Sequence, residues 1–215
     1  MSANQQVLLG LGTGVDKILT FQASASDIAN LTTYTFSAQA IGAAAADRRV
    51  IVAVHAHGNT GITISSATIG GVAADISIQN RDASSVSGIL IALVPTGTTA
   101  DVVVTFNAGK ARAAIGVWSC TGLTSNTANS TATSLADPTT ATLTTTNGGF
   151  CIAAVTNNDQ FSTLTWTNVT ERYDAAVEAA MTASGADADT IGANISPSGA
   201  FAGAPGEIAG VFATW

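Results

Sequence analysis

Charge is what this sequence has least of. Asp, Glu, Lys and Arg make up 10% of its 215 residues, where a soluble domain usually carries about 25%. Only 7 residues are basic against 14 acidic, for a net charge of −7. With so few cations and no basic stripe, the chain lacks the phosphate-neutralising groups that supply nucleic-acid affinity. The same shortage disfavours an anionic membrane surface. Histidine and cysteine occur twice each and proline four times. No apolar run approaches the roughly 18 residues of a membrane span. The opening Met1-Ser-Ala-Asn-Gln-Gln-Val-Leu-Leu-Gly10 has neither the basic n-region nor the longer apolar h-region of a signal peptide. These absences predict synthesis in a cytoplasm without self-directed export, and partners that are neither nucleic acid nor membrane.

What remains is apolar and hydroxylic. Hydrophobic residues make up 47% of the chain. With charge so scarce, the surface must be built from Ser, Thr, Asn, Gln, Gly and Ala. Such a surface suits a protein that is packed against copies or partners, because a free monomer with few charges is less soluble.

Periodicity sets the class. Short β-branched runs recur between polar turns: Arg49–His57, Gly61–Ile69, Gly88–Val94, Asp101–Phe106, Ala113–Cys120, Gly149–Val155 and Glu207–Trp215. Each has the length of a strand. Weaker strand candidates are Ile18–Ser24, Thr33–Ala38, Ala141–Thr145, Ser162–Trp166, Ala176–Ser184 and Thr190–Ile195. Gly70-Gly71 reads as a tight hairpin turn. Sustained helical periodicity is absent; Asp174–Met181 is the best stretch and is short. The expectation is an all-β, two-sheet antiparallel sandwich, jelly-roll-like, with residues 15–215 forming one domain. Residues 1–14, carrying Val7-Leu8-Leu9, read as an N-terminal arm that needs something to pack against. Residues 124–140, rich in Ser and Thr, read as a long polar loop.

The order of segments carries a resemblance. Ile18–Ser24, Thr35-Phe36, Asp47–Val54, the hairpin at Ile69-Gly70-Gly71, Gly88–Val94, Thr98–Phe106 and Ile115–Leu123 follow one another, then a Thr-rich loop, a Gly-Phe strand and Trp166–Thr170. This series resembles β-sandwich minor structural proteins of tailed bacteriophages and prophages, over most of residues 18–215. The resemblance implies a virion component and rests on strand and turn patterns, with no motif of invariant chemistry.

Few residues could carry chemistry. His55 and His57 alternate on one strand and share a face. They could begin a zinc site, which would need further ligands that no pattern marks; polar groups at the mouth of the strand are the plainer reading. Asp187 and Asp189 could hold calcium, but without an EF-hand pattern they read as a solvated turn. Glu171-Arg172-Tyr173-Asp174 reads as an exposed charged turn; its spacing does not establish a glycosidase acid pair. Gly10-Leu-Gly-Thr-Gly14 lacks the strand, helix and Lys-Ser/Thr of a phosphate loop. Cys120 and Cys151 could form a disulfide, though small buried hydrophobes fit better without a secretion signal. Trp118, Trp166 and Trp215 could stack on sugars, but strand-end aromatics more often plug a core or an interface. Trp215 is expected in the core or against a neighbour.

The reading expects no enzyme, no catalytic residues, no cofactor and no metal. It expects a phage virion structural protein on the virion surface. The leading function is a capsid decoration protein that binds the major capsid protein across capsomers. The alternatives are a tail- or neck-associated structural or fibre domain, bound to other virion proteins, and a carbohydrate-binding adhesion module. A trimer or dimer is expected over a monomer, with Val7, Leu8, Leu9 and Trp215 as candidate interface residues.

Overall fold

Apart from a single 3-10 turn at Glu178–Ala180, every regular element among the described residues is a β-strand. The computed structural model describes residues 17–159, 163–192 and 194–215. The expected arm 1–14, with Val7, Leu8 and Leu9, lies outside the described residues. The first half of the chain forms β1 (Ile18–Asp27), β2 (Leu31–Ala40), β3 (Arg49–Gly58), β4 (Ile64–Ile69), β5 (Val72–Ala73), β6 (Asp75–Asp82), β7 (Ser85–Leu93) and β8 (Thr99–Thr121). The second half forms β9 (Ser130–Ser134), β10 (Thr139–Thr140), β11 (Leu143–Thr144), β12 (Gly149–Asn157), β13 (Leu164–Thr167), β14 (Thr170–Ala176), β15 (Thr182–Ile191), β16 (Asn194–Ile195), β17 (Ser198–Phe201) and β18 (Ile208–Thr214).

The 23-residue β8 is the spine of the first half. Its N-terminal part pairs with β2 and β4, and its C-terminal part with β1 and β3. β1 and β2 therefore follow each other along one side of β8, and β3 and β4 along the other. All bend together, so one eight-stranded sheet folds back into two layers. The two runs Asp101–Phe106 and Ala113–Cys120 were expected to be separate strands. Asn107–Arg112 looks like a connection, but Lys110 stays paired with both Leu31 and Gly58, so the bend is made inside the ladder. The Gly70-Gly71 turn joins β4 to β5 as expected, with both glycines at positive φ (60 and 78°), the conformation that such a hairpin turn demands.

Between the folded halves of this sheet lies the first core. Tyr34, Phe36, Val50, Val52, Val54, Leu90, Val102, Val104, Phe106 and Ile115 meet there. The opposite faces of β3, β7 and the end of β8 contribute Ile51, Ala53, Ile89, Ile91 and Trp118 to a second core. Its other wall is the second sheet, ordered β14-β15-β12-β18-β9, through Phe150, Ile152, Ala154, Val211 and Ala213. The small sheets β10-β17-β13 and β11-β16 cover the far side of that sheet, closing on Cys151, Ala153, Val155 and Phe212. The fold is thus all-β, antiparallel and sandwich-like, as expected, with two small sheets added to the two large ones.

The second half also corrects several local readings. The polar stretch 124–140 contains strand β9 and enters β10, so it is only partly a loop. Asp174–Met181, the best helical stretch in the sequence, enters a strand end and a 3-10 turn, in keeping with the all-β expectation. Glu171–Asp174 lies within strand β14, with Tyr173 buried.

Candidate functional site

The polar groups of the molecule gather where its layers meet. β3 presents His55 to the seam between the two central sheets, fully buried. Its Nδ1 lies 2.9 Å from Thr156 Oγ1 on β12, and its Nε2 lies 2.7 Å from the Tyr173 hydroxyl on β14. Ser87 on β7 completes the network, 2.7 Å from Thr156 Oγ1 and donating to the Ala209 carbonyl. Burial drives the His55 pKa down to about 3, so the ring is neutral at ordinary pH. Tyr173 reaches it because two glycines clear the way: a Cβ on Gly116 or Gly185 would stand 2.2 or 2.5 Å from the Tyr173 ring.

His57 shares the strand face but sits at the rim, half-buried. Its Nδ1 is 3.3 Å from Ser85 Oγ and 3.4 Å from Ser84 Oγ. Glu207, just before β18, accepts from both serine hydroxyls and from the Ser84 amide. Burial opposes ionisation of Glu207, but these hydrogen bonds outweigh it and hold the carboxyl below its ordinary range. Beside them Lys110 is fully buried, donating to the carbonyls of Ser84 and Asn59, and burial lowers its pKa to about 8.

Serine, histidine and glutamate therefore come together, but in an order that does not activate a serine. Each hydroxyl has one proton and gives it to Glu207. The serine oxygens then accept from His57 Nδ1–H, so this nitrogen is a donor and not a base. A nucleophilic serine needs the reverse, with the carboxylate behind the imidazole. The arrangement fastens the β6–β7 turn to the lead-in of β18. Asp82 does the same beside it, accepting from the Ile208 amide.

Asp187 occupies a strand, where a solvated turn was expected. It is 2% exposed, receives Trp118 Nε1 at 2.6 Å and is gripped by Arg172 at 2.7 and 2.9 Å. Asp189, two residues on, is exposed. Among the described residues no three His, Cys, Asp or Glu side chains converge as metal ligands. Cys120 and Cys151 are both buried and free. They belong to different cores, Cys120 between the central sheets and Cys151 beyond β12, so the wall of β12 separates them. Burial pushes both thiols up to about 12, which leaves them inert.

The tryptophans are committed to packing. Trp118 and Trp215 are 0% and 1% exposed. Trp215 stacks on Phe150 with ring centroids 5.5 Å apart, and its Nε1 donates to the Asn126 carbonyl. It is a core residue of its own chain. Trp166 packs between the covering sheets and β12, with its Nε1 on Ser184 Oγ. No helix among the described residues is long and apolar enough to cross a membrane.

The outer face of the folded first sheet is different in kind. Along β2, Tyr34 and Phe36 point inward while Thr33 and Thr35 are exposed. Opposite them β8 presents Val103 and Thr105, and β4 presents Ser66 and Thr68. Thr33 and Thr105 hydroxyls touch at 3.0 Å. Through β2, β4, β5 and the first eight residues of β8, Asp101 is the sole charged residue, and it accepts from the Ala38 amide. The sequence had pointed to Val7, Leu8, Leu9 and Trp215 as interface residues; this face is assembled from strands far apart in the chain and shows only once their register is known.

No protein-family model matches the chain, and no curated protein matches it in sequence. Among solved structures it is similar to the crystal structure of PBSX exported protein XepA, at 12% identity and a TM-score of 0.26, over 92% of this chain and 86% of that one. A TM-score that low carries no argument about what the chain does.

Proposed function

We propose that this protein is a structural component of a tailed-phage virion, and that it decorates the capsid by docking across capsomer junctions. The observation that carries the reading is the hydroxyl-and-methyl face of β2, β4 and β8, on which Asp101 is the sole charge. Docking a charge means stripping its water, which costs several kcal/mol when the partner does not repay it. A face of threonine, serine and valine avoids that cost and still gains about 25 cal/mol for each Å² of apolar area it covers. The segment order that resembles phage structural proteins supports the same reading. The sugar-binding alternative calls for aromatic rings exposed together, and all three tryptophans are engaged in packing.

Quantitative mass spectrometry of purified virions tests the proposal. Decoration predicts copies on the order of hundreds per particle, matching a closed shell. About six or twelve copies would move the protein to the tail or neck, and absence from virions would reject the assignment.

A further inference from the structure

Several asparagines of this chain are tied down by the fold. Asn80 donates to the carbonyls of Ser134 and Gly210. Asn126 is held between Arg49 and Asp75. Asn157 is buried and accepts from the amides of Asp159 and Thr182, and Asn158 accepts from those of Gly206 and Glu207. Asn147 differs from all of these. It is exposed, and its side chain makes no hydrogen bond to a described residue. It is also followed by glycine, and Asn147-Gly148 is the sole Asn-Gly pair in the chain.

The pair forms the tip of the turn that leads into β12. Across it the Gly149 amide donates to the Thr146 carbonyl at 2.9 Å. Gly148 has a φ of 72°, as the third residue of a type II turn requires. The peptide group between Asn147 and Gly148 makes no hydrogen bond to a described residue, and a Cβ on Gly148 would meet nothing within 4 Å. The tip is therefore free to rotate. Its base is not. A Cβ on Gly149 would stand 2.1 Å from Thr145 Oγ1 and 2.3 Å from the Trp215 carbonyl oxygen, and Phe150 and Trp215 exchange two backbone hydrogen bonds at 3.1 Å.

We infer that Asn147 is a site of spontaneous deamidation in the folded protein. The main-chain nitrogen of Gly148 gives up its proton and bonds to Asn147 Cγ. The Cγ–Nδ2 bond breaks, ammonia leaves, and a succinimide ring closes. Glycine has no side chain to obstruct that approach. Water then opens the ring at one of its two carbonyls. Opening at Cγ leaves aspartate; opening at the main-chain carbonyl leaves isoaspartate, with one extra carbon in the backbone. Either product adds a carboxylate beside Thr146, whose hydroxyl receives Lys17 Nζ at 2.6 Å. The clamped Gly149 cannot shift to absorb the extra carbon, so isoaspartate costs the turn its Thr146–Gly149 hydrogen bond. The inference concerns the purified chain and stands or falls independently of the virion reading.

Peptide mass spectrometry of the full chain, aged in neutral and in mildly alkaline buffer, tests it. The peptide that spans Thr145–Phe150 should show an amide –NH2 replaced by –OH and should split into two isomers. The change should be faster in the alkaline buffer, because the attacking nitrogen must lose its proton. Asn80, Asn126 and Asn157 should stay unmodified in the folded chain. Asn147 should react in the folded chain at a rate within about tenfold of that in the urea-unfolded chain, since an exposed turn tip is left free by the fold. Asn147→Gln, which needs a larger ring, should abolish the change and leave the melting curve as it was. An aged chain with Asn147 intact overturns the inference. So does a modification seen only in the unfolded chain, one that proceeds equally at Asn80 and Asn126, or one that survives Asn147→Gln.

Discussion

β2 and β3 are each ten residues long and both pair with β8, yet they bury very different amounts of themselves. β3 buries eight residues in succession, Arg49 to Ala56, whereas β2 buries only Tyr34 and Phe36. The difference lies in what covers each strand. β3 has a core on both faces, so its sequence is a continuous apolar run broken only by His55. β2 has a core on one face and solvent on the other, so its sequence alternates. β7, β12 and β18 follow β3, with nearly every residue buried. Burial therefore concentrates at the seam between the central sheets, and the outer layer is covered on one face alone.

Acid should break the seam first. The folded pKa of His55, about 3, lies below the ordinary 6.5. A lowered histidine pKa means that its contribution is intact above about pH 6.5 and is lost as pH falls toward 3. Between pH 7 and pH 4 the loss is on the order of 3 kcal/mol. Urea midpoints at the two pH values measure it, and His55→Gln should remove that part of the acid sensitivity even though it lowers stability at pH 7. Crowding the seam comes next. Gly116→Ala drives a methyl into the Tyr173 ring and should cost about 1–3 kcal/mol at neutral pH, read as a lower urea midpoint. The outer layer should respond least. Thr35→Lys, on the exposed face of β2, should shift stability by no more than about 0.5 kcal/mol while reducing binding to purified phage heads. A larger loss of stability would mean that this face is not a one-sided surface.

The same contrast explains what the sequence made legible. β3, β7, β12 and β18 were marked by their apolar runs to within a few residues, because burial on both faces leaves no ambiguity of period. β6 went unmarked. Its Asp-Ile-Ser-Ile-Gln-Asn-Arg-Asp alternates weakly and ends in charge, as suits an edge strand whose inner face alone is covered. The layer count was beyond reach, since an apolar strand does not say whether its second face meets a fold of its own sheet or another sheet. The polar seam was half legible. His55 and His57 stood out by type, but their partners did not: Ser84 and Glu207 are 123 residues apart, and Glu207 follows Pro205-Gly206, which reads as an ordinary turn. Asp187 looked solvated because its neighbours are small and polar, and only the sheet stacking brings Trp118 onto it.

β8 also sets an order in time. β1 and β2 have β8 as their only partner among the described residues, so Ile18 waits for Thr121 before it can pair. During synthesis β1 and β2 emerge with nothing to join, while β3, β6 and β7 can already pair with one another. Long-range pairing of this kind is slow and leaves apolar surface exposed meanwhile. The scarcity of charge that suits the finished surface gives that waiting segment little protection. The arrival of β8 is therefore the step at which the nascent chain either folds or aggregates.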